Sequence, residues 1–507
     1  MTPARSWVFR AILVAFVVGC IWWSVHIPYA PDQLYRAVPA NVTVVSAHYD
    51  LAGRWSMLTS NPVSATLLSS FGLDQQALRE LNADEKFKRW FRRLASDESV
   101  VAYAPDLGIA GRPSWVFASW IGGSSQRLRW LLSTSGKLKP IDRVHYPVWV
   151  IRPSGMKNAS KVAFAFVEGM VVGCVGNDVT VMDDILRCVD GLYPSIAAQR
   201  DLIPARVEGV DRGWFGVDRR VTYAFDAITA TTIRGHVTAP FSLHAGQPDP
   251  STATLEKLQQ LWGDYPVAYA VVDRAAAASW LTNTYAYAWV RAVTNIVAEA
   301  QGGSIALGVL AGDFSGRFKG LKLPTIMAGA SVQDPEKARK SIAEQIDNLN
   351  ARSQWGLVPQ ELMVGAHRVY AIEGTAQNLY AGLAVNERVA YTTGEDWLLF
   401  SSNVEGLTNL LAAADRRGPA GVASREIPAA PVQGLIDLEQ GAKAIRLAIT
   451  AYSFKLALED PFGSQPERQK LNEVKAWVDA LAPLKTVRFW LRPEGDVTRL
   501  SFDAGAE

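Results

Sequence analysis

The chain has 507 residues, 49% hydrophobic and 20% charged, which is enough apolar material for two large or three smaller folded units and excludes a disordered chain. The 51 Lys and Arg against 49 Asp and Glu leave a net charge of +2, so no global field draws in polyanions and nucleic acid is not an expected partner. The 17 Trp are spread from Trp7 to Trp490 rather than gathered into a base-stacking platform.

Residues 1–30 read as a cytoplasmic N-terminus and a membrane anchor. Arg5 and Arg10 precede the uncharged run Ala11–Val25, AILVAFVVGCIWWSV, and Trp22, Trp23 and Tyr29 fall where an interfacial aromatic belt lies. Trp7 to Ile27 is 21 residues, enough for one span if Arg10 snorkels to the headgroups. The positive flank keeps the N-terminus inside; the short anchor, the lipobox-like cysteine and the low cysteine count suggest a bacterial source, so the expectation is an inner-membrane protein with its bulk in the periplasm. No Ala-x-Ala site is present and Pro31 follows Ala30, so the anchor is expected to stay uncleaved. The alternative is a lipoprotein: Val17–Cys20, VVGC, reads as a lipobox with Cys20 as the lipidated residue, although IWWSV continues the apolar run beyond it.

Beyond the anchor, NVTVVSAHYD reads as a strand and SSFGLDQQALRELNADEKFKRWFRRLAS as helix. SVVAYAPD and SWVFASWIGG are strands, followed by a short helix around SSQRLRWLLS. YPVWVIRP and KVAFAFVEGMVVGCVG are further strands, DVTVMDDILRCVDG is a helix, and RRVTYAFDAITATTIRGHVTA suits a long strand or hairpin. The second half repeats this order. YPVAYAVVDRA precedes a helix from about Ala275 to Ala300; SIALGVLAGDF and LPTIMAGASV precede the helix DPEKARKSIAEQIDNLNAR. HRVYAIEG and NLYAGLAVNERVAYTTGEDWLLFSS lead to the helix NVEGLTNLLAAAD. Two extra helices, about Gly441–Glu459 and Pro466–Leu481, come before the closing TVRFWLRPEGDVTRLSFDA.

Three matched positions keep nearly one spacing: Asp50 and Asp273 stand 223 apart, His145 and His367 222, Asp178 and Asn403 225. Gly169/Gly394, Val179/Val404, Leu186/Leu411 and Asp190/Asp415 also coincide. The predicted fold is therefore α+β: two tandem, similarly built halves of antiparallel sheet covered on one face by helices, after one N-terminal transmembrane helix. The domains are 1–30, 31–247 and 248–507, with the seam in HAGQPDPSTATLEK, where Gly246, Pro248 and Pro250 break structure.

Lys86–Leu94, KFKRWFRRL, joins five basic residues to four large apolar ones. Phe87, Trp90, Phe91 and Leu94 follow helical spacing and predict one apolar stripe, with Asp84–Lys88 and Glu85–Arg89 ion pairs beside it. The plain expectation is a helix buried on a sheet; the second is a lipid-surface contact through Lys86, Lys88, Arg89, Trp90, Arg92 and Arg93.

No chemistry-bearing constellation stands out. Ser154 to Lys157 has Ser-x-x-Lys spacing, but Pro153 and Gly155 place it in a turn and no Lys-Thr-Gly follows. Asp183 and Asp184 point about 100° apart on a helix and read as exposed. The six His are scattered; His145 and His367 open strands and suit structural roles. Cys174 and Cys188 fit either a disulfide or two buried thiols, and too few ligands gather for a metal. No catalytic residue, metal or cofactor is assigned. Asn41-Val-Thr43 and Asn158-Ala-Ser160 match glycosylation acceptors, which matter only in a eukaryotic secretory pathway.

The stretch Ala37–Asp50, AVPANVTVVSAHYD, just beyond the anchor resembles the opening of N-terminally anchored bacterial cell-envelope proteins of uncharacterised function. The expectation is a non-enzymatic envelope protein that binds or scaffolds a protein partner. A hydrolase with unfamiliar catalytic residues, or a carrier of lipid or another apolar ligand, remains the alternative; no small-molecule ligand is identified.

Overall fold

A computed structural model with side chains describes residues 12–18, 26–70, 75–136, 138–152, 161–216, 221–241, 243, 258, 261–262, 266–273, 276, 304–311, 316–318, 321–353, 356–373, 389–417, 428, 430–459 and 465–505. It forms two compact units, Met1–Ala230 and Thr231–Glu507. The sequence seam at 247/248, the helix expected over Ala275–Ala300, Ser154–Lys157 and Asn158 lie outside the described residues, apart from Ala276.

The sheet of the first unit contains β1 (Val44–Tyr49), β2 (Glu98–Leu107), β3 (Arg112–Trp120), β4 (Ile141–Arg143), β5 (Tyr146–Ile151), β6 (Lys161–Val167), β7 (Met170–Gly176), β8 (Asp211–Phe215) and β9 (Val221–Ile228). Every pairing is antiparallel, in the order β9-β8-β1-β2-β3-β7-β6-β5-β4. Four helices fill the connection from β1 to β2: α1 (Leu51–Ser60), α2 (Pro62–Ser70), α3 (Gln75–Ala83) and α4 (Glu85–Leu94). The first two are absent from the sequence reading. Asp50 starts α1 from a left-handed conformation, φ 45°, where its carboxylate accepts from the amide of Gly53. Buried Asn61 turns α1 into α2: Oδ1 accepts from Val63 and Ser64, and Nδ2 donates to the Thr229 carbonyl. Asp84 divides the single helix expected over this stretch into α3 and α4 and caps the latter through the Lys86 amide.

Helices cover both faces of this sheet, which corrects the one-face expectation. After β7, α6 (Val181–Val189) packs with Leu34, Tyr35 and Val38 on the face carrying Val116, Ala118, Ala163 and Ala165. After β3, α5 (Ser124–Ser135) lays Leu128 and Leu132 against Trp149, Phe164 and Phe166 on the opposite face. The cause is in the strands: KVAFAFV and MVVGCVG are apolar at odd and even positions alike, so neither face tolerates water.

The second unit pairs β10 (Thr232–Ala239), β11 (Pro266–Val272), β12 (Ile305–Leu310), β15 (Thr325–Ser331), β16 (Val358–Val364), β17 (His367–Glu373), β18 (Ala390–Thr393), β19 (Trp397–Ser401), β20 (Val432–Asp437), β21 (Thr486–Glu494) and β22 (Val497–Gly505). The order is β10-β22-β21-β20-β11-β12-β15-β19-β18-β17-β16, all antiparallel. A separate hairpin joins β13 (Gly316–Phe318) to β14 (Leu321–Leu323). Here too helices serve both faces: α7 (Pro335–Ser353) seats Ile342 and Ile346 beside Ala328 and Phe400, and α8 (Val404–Arg417) seats Leu407 and Leu411 beside Met327 and Leu399. The long α9 (Leu438–Glu459) and α10 (Gln465–Leu481) stand where the two extra helices were read.

Residues 12–18 are helical, and Ile12, Leu13, Val14, Phe16, Val17 and Val18 are all exposed. The rest of the Trp7–Ile27 segment before His26, Cys20 included, lies outside the described residues. Among the described residues no helix is long and apolar enough to cross a membrane.

Candidate functional site

The basic stretch forms α4, but with a different division of labour among its residues. Phe87 and Phe91 stack with centroids 5.3 Å apart and both meet Trp55 of α1, while Leu94 joins the cluster beneath α5. Trp90 leaves the predicted stripe: it is 40% exposed, with the Arg93 guanidinium 5.7 Å from its ring centre. The expected ion pairs also shift. Lys88 binds Glu85 at 2.8 Å, three residues back, and holds that exposed carboxyl below its ordinary range through the hydrogen bond. Arg89 donates instead to the Glu85 carbonyl, and Asp84 is spent on the cap. Lys86, Arg89, Arg92 and Arg93 all remain exposed.

At the end of the sheet where β2 begins and β3 ends, the segment His26–Val38 docks onto the first unit. Tyr29 meets Trp120 edge to face at 5.9 Å, Ile27 and Ala30 pack on the core, and Leu34 and Tyr35 are fully enclosed. Arg206 lies between Tyr29 and Tyr49, 5.0 and 5.6 Å from their ring centres, and pairs with Glu98 at 3.3 Å. Burial, reinforced by Asp32, pushes the Glu98 carboxyl above its ordinary range against the pull of Arg206.

A second buried cluster centres on Asp211. His48 Nδ1 lies 2.9 Å from its Oδ1, Arg54 Nη1 donates to Oδ2 at 3.1 Å, and Arg54 Nη2 also binds Oδ1. Burial alone would raise this carboxyl; His48 and Arg54 outweigh it and hold it below the ordinary range. The cluster ties β1, α1 and β8 together. Sequence reasoning missed it because its members are 163 and 157 positions apart and share no local pattern.

Two His–Asp contacts hold strand starts to helix ends. His145 lies 3.5 Å from Asp190 after α6, where Tyr146 also donates to Asp190 at 2.8 Å. His367 lies 3.2 Å from Asp415 in α8. His236 instead contacts Arg499 at 3.0 Å. Asp183 and Asp184 do diverge, but they are half-buried rather than exposed: Asp183 binds Arg143 at 3.0 Å and Asp184 accepts from the Gly108 amide at 2.8 Å. That amide borders an open cleft of about 460 Å³ lined by Asn41, Asp106, Asp184, Cys188 and Tyr193. Cys188 brings no nucleophile there, since burial pushes its thiol up to about 12. Cys174 is likewise buried, at about 12, and the two thiols are free. Among the described residues no three His, Cys, Asp or Glu side chains gather as metal ligands. Comparison with protein-family models, curated proteins and solved structures finds no match to this chain.

Proposed function

We propose that the chain is a membrane-tethered envelope protein, facing the periplasm, that binds or scaffolds a protein partner rather than performing catalysis. The observation that carries this reading is the docked segment His26–Val38. It follows the exposed apolar helix at 12–18 after a short interval and enters the core of the first unit through Leu34 and Tyr35. Apolar side chains left bare at 12–18 suit lipid as their solvent. A structural role for the Asp211 cluster and the two His–Asp contacts follows from what they join, strands to helices or to other strands.

The halves are read as copies of one fold. Supporting this, the run β8-β1-β2-β3-β7-β6-β5-β4 has the same connectivity as β20-β11-β12-β15-β19-β18-β17-β16. Gly213 of β8 lies under the Tyr223 ring and Gly434 of β20 under the Phe489 ring, at matching places. The two His–Asp contacts match as well. Two similar sheets offer two related binding surfaces, which suits a scaffold.

Fractionation tests the tether: the full chain is expected in the membrane pellet after an alkaline wash, and a chain starting at His26 in the supernatant. Recovery of the full chain in the wash defeats the reading. Substrate turnover by the full chain, lost in Asp184→Asn, selects a hydrolase instead.

A further inference from the structure

The tether enters at one end of the first sheet, and two basic helices meet the same end. Tyr49 pairs with Glu98, Ser99 with Ser119 and Trp120 with Met170, so these residues line a single end, where Tyr29 and Ile27 dock. The chain reaches it from α4 through Ala95–Asp97 and leaves it into α5 through Ile121–Gly123. Ser119 Oγ fastens the junction by donating to the Leu94 carbonyl at 2.5 Å.

Four arginines stand toward that end, near the exposed acids Asp32 and Asp97. Arg92 and Arg93 occupy the last turn of α4, and Arg127 and Arg129 fall early in α5, which contains no acidic residue. Each of the four is exposed. Each helix also presents a tryptophan. With Ser125 and Leu128 turned inward, Trp130 lies on the outer side of α5 and is 70% exposed, with Leu131 exposed beside it. Trp90 flanks the half-buried stripe of α4. Arginine beside outward tryptophan is the pairing that suits the boundary between phosphate headgroups and acyl chains.

We propose that α4 and α5 rest on the headgroups of an anionic phospholipid bilayer, with Trp90 and Trp130 dipping into the interface and the four arginines against phosphate. The inference rests on the tethered reading, in which the docked segment His26–Val38 leads back toward the bilayer from this end of the sheet. Hydrogen exchange on the full chain in lipid nanodiscs tests it. In phosphatidylglycerol discs, amides of 85–94 and 124–135 are expected to exchange about tenfold slower than in phosphatidylcholine discs, with the difference lost in high salt and in Arg92→Gln/Arg93→Gln/Arg127→Gln/Arg129→Gln. The buried α6 of the first unit serves as the insensitive control. Equal exchange in both discs overturns the proposal and leaves the face to a protein partner. Failure of the tether reads differently, as a chain that does not stay in any disc. In that event, flotation of the full chain with phosphatidylglycerol but not phosphatidylcholine vesicles sustains the lipid contact, and no flotation overturns it.

Discussion

Asp211 Oδ1 lies 2.9 Å from His48 Nδ1 and shares that oxygen with Arg54, so one buried carboxylate joins β1, β8 and α1. Asp211→Asn leaves the Arg54 guanidinium without its counter-charge and His48 without its carboxylate partner, and is expected to cost about 3 kcal/mol in urea unfolding of the first unit. The folded carboxyl sits below its ordinary value, so its contribution is present above the unfolded range and is lost as pH falls through the folded value. The variant should therefore show a flatter acid limb than the parent. An unchanged acid limb counts against the cluster.

Glu98 carries the opposite sign. Its folded carboxyl is raised, chiefly by burial, so the folded state binds the extra proton and stability declines as pH rises from the unfolded range through the folded value. Glu98→Gln removes that decline. Arg206 is half-exposed and stays solvated, so at pH 7 the variant should lie within about 1 kcal/mol of the parent, as melting temperatures across pH will report.

The two halves share a place where no side chain fits. A Cβ on Gly213 meets the Val45 carbonyl and the Tyr223 ring; a Cβ on Gly434 meets the Tyr269 carbonyl and the Phe489 ring. Gly213→Ala and Gly434→Ala are each expected to cost about 3 kcal/mol. Tyr223→Leu should not rescue the first, because the carbonyl remains. A well-tolerated alanine at either site would remove this argument for common ancestry.

Within α4, Phe91 and Trp90 should behave differently despite adjacent positions. Phe91→Ala loses its packing against Phe87 and Trp55 and is expected to cost about 2 kcal/mol, whereas Trp90→Ala should change stability by less than about 0.5 kcal/mol. Chemical denaturation of the two single variants decides this.

Cys174 and Cys188 should resist thiol reagents in the folded chain and react once it unfolds, since burial pushes both thiols up to about 12. Rapid labelling of either in the native state contradicts their placement.

What the sequence made legible follows from range. Alternation or continuous apolar runs gave β1 to β3 and β5 to β7, and the segment DVTVMDDILRCVDG gave α6. Helices α1 and α2 were missed because Leu51–Ser70 is rich in Ser and Thr and its Asp50 and Asn61 caps read equally well as turns. With three residues β4 is too short to show a period, and Gly213 and Gly434 interrupt the apolar pattern of β8 and β20. Trp90 was placed in the stripe by spacing alone, yet only Phe87 and Phe91 reach Trp55, and nothing in nine residues reveals which flank an inserted helix will pack. The polar clusters depend on strands brought together across the unit, so their partners have no local signature. The matched spacing of His145 and His367 is visible in the sequence, but that they meet Asp190 and Asp415 is visible only in the fold.

The docked stretch that begins at His26 has a mechanical consequence. Leu34 and Tyr35 are wedged in the middle of the first unit, with Tyr29 riveted to Trp120 and Arg206 on the way. Force applied at His26 is therefore carried into the sheet by packed side chains, which couples this segment mechanically to the strands it covers.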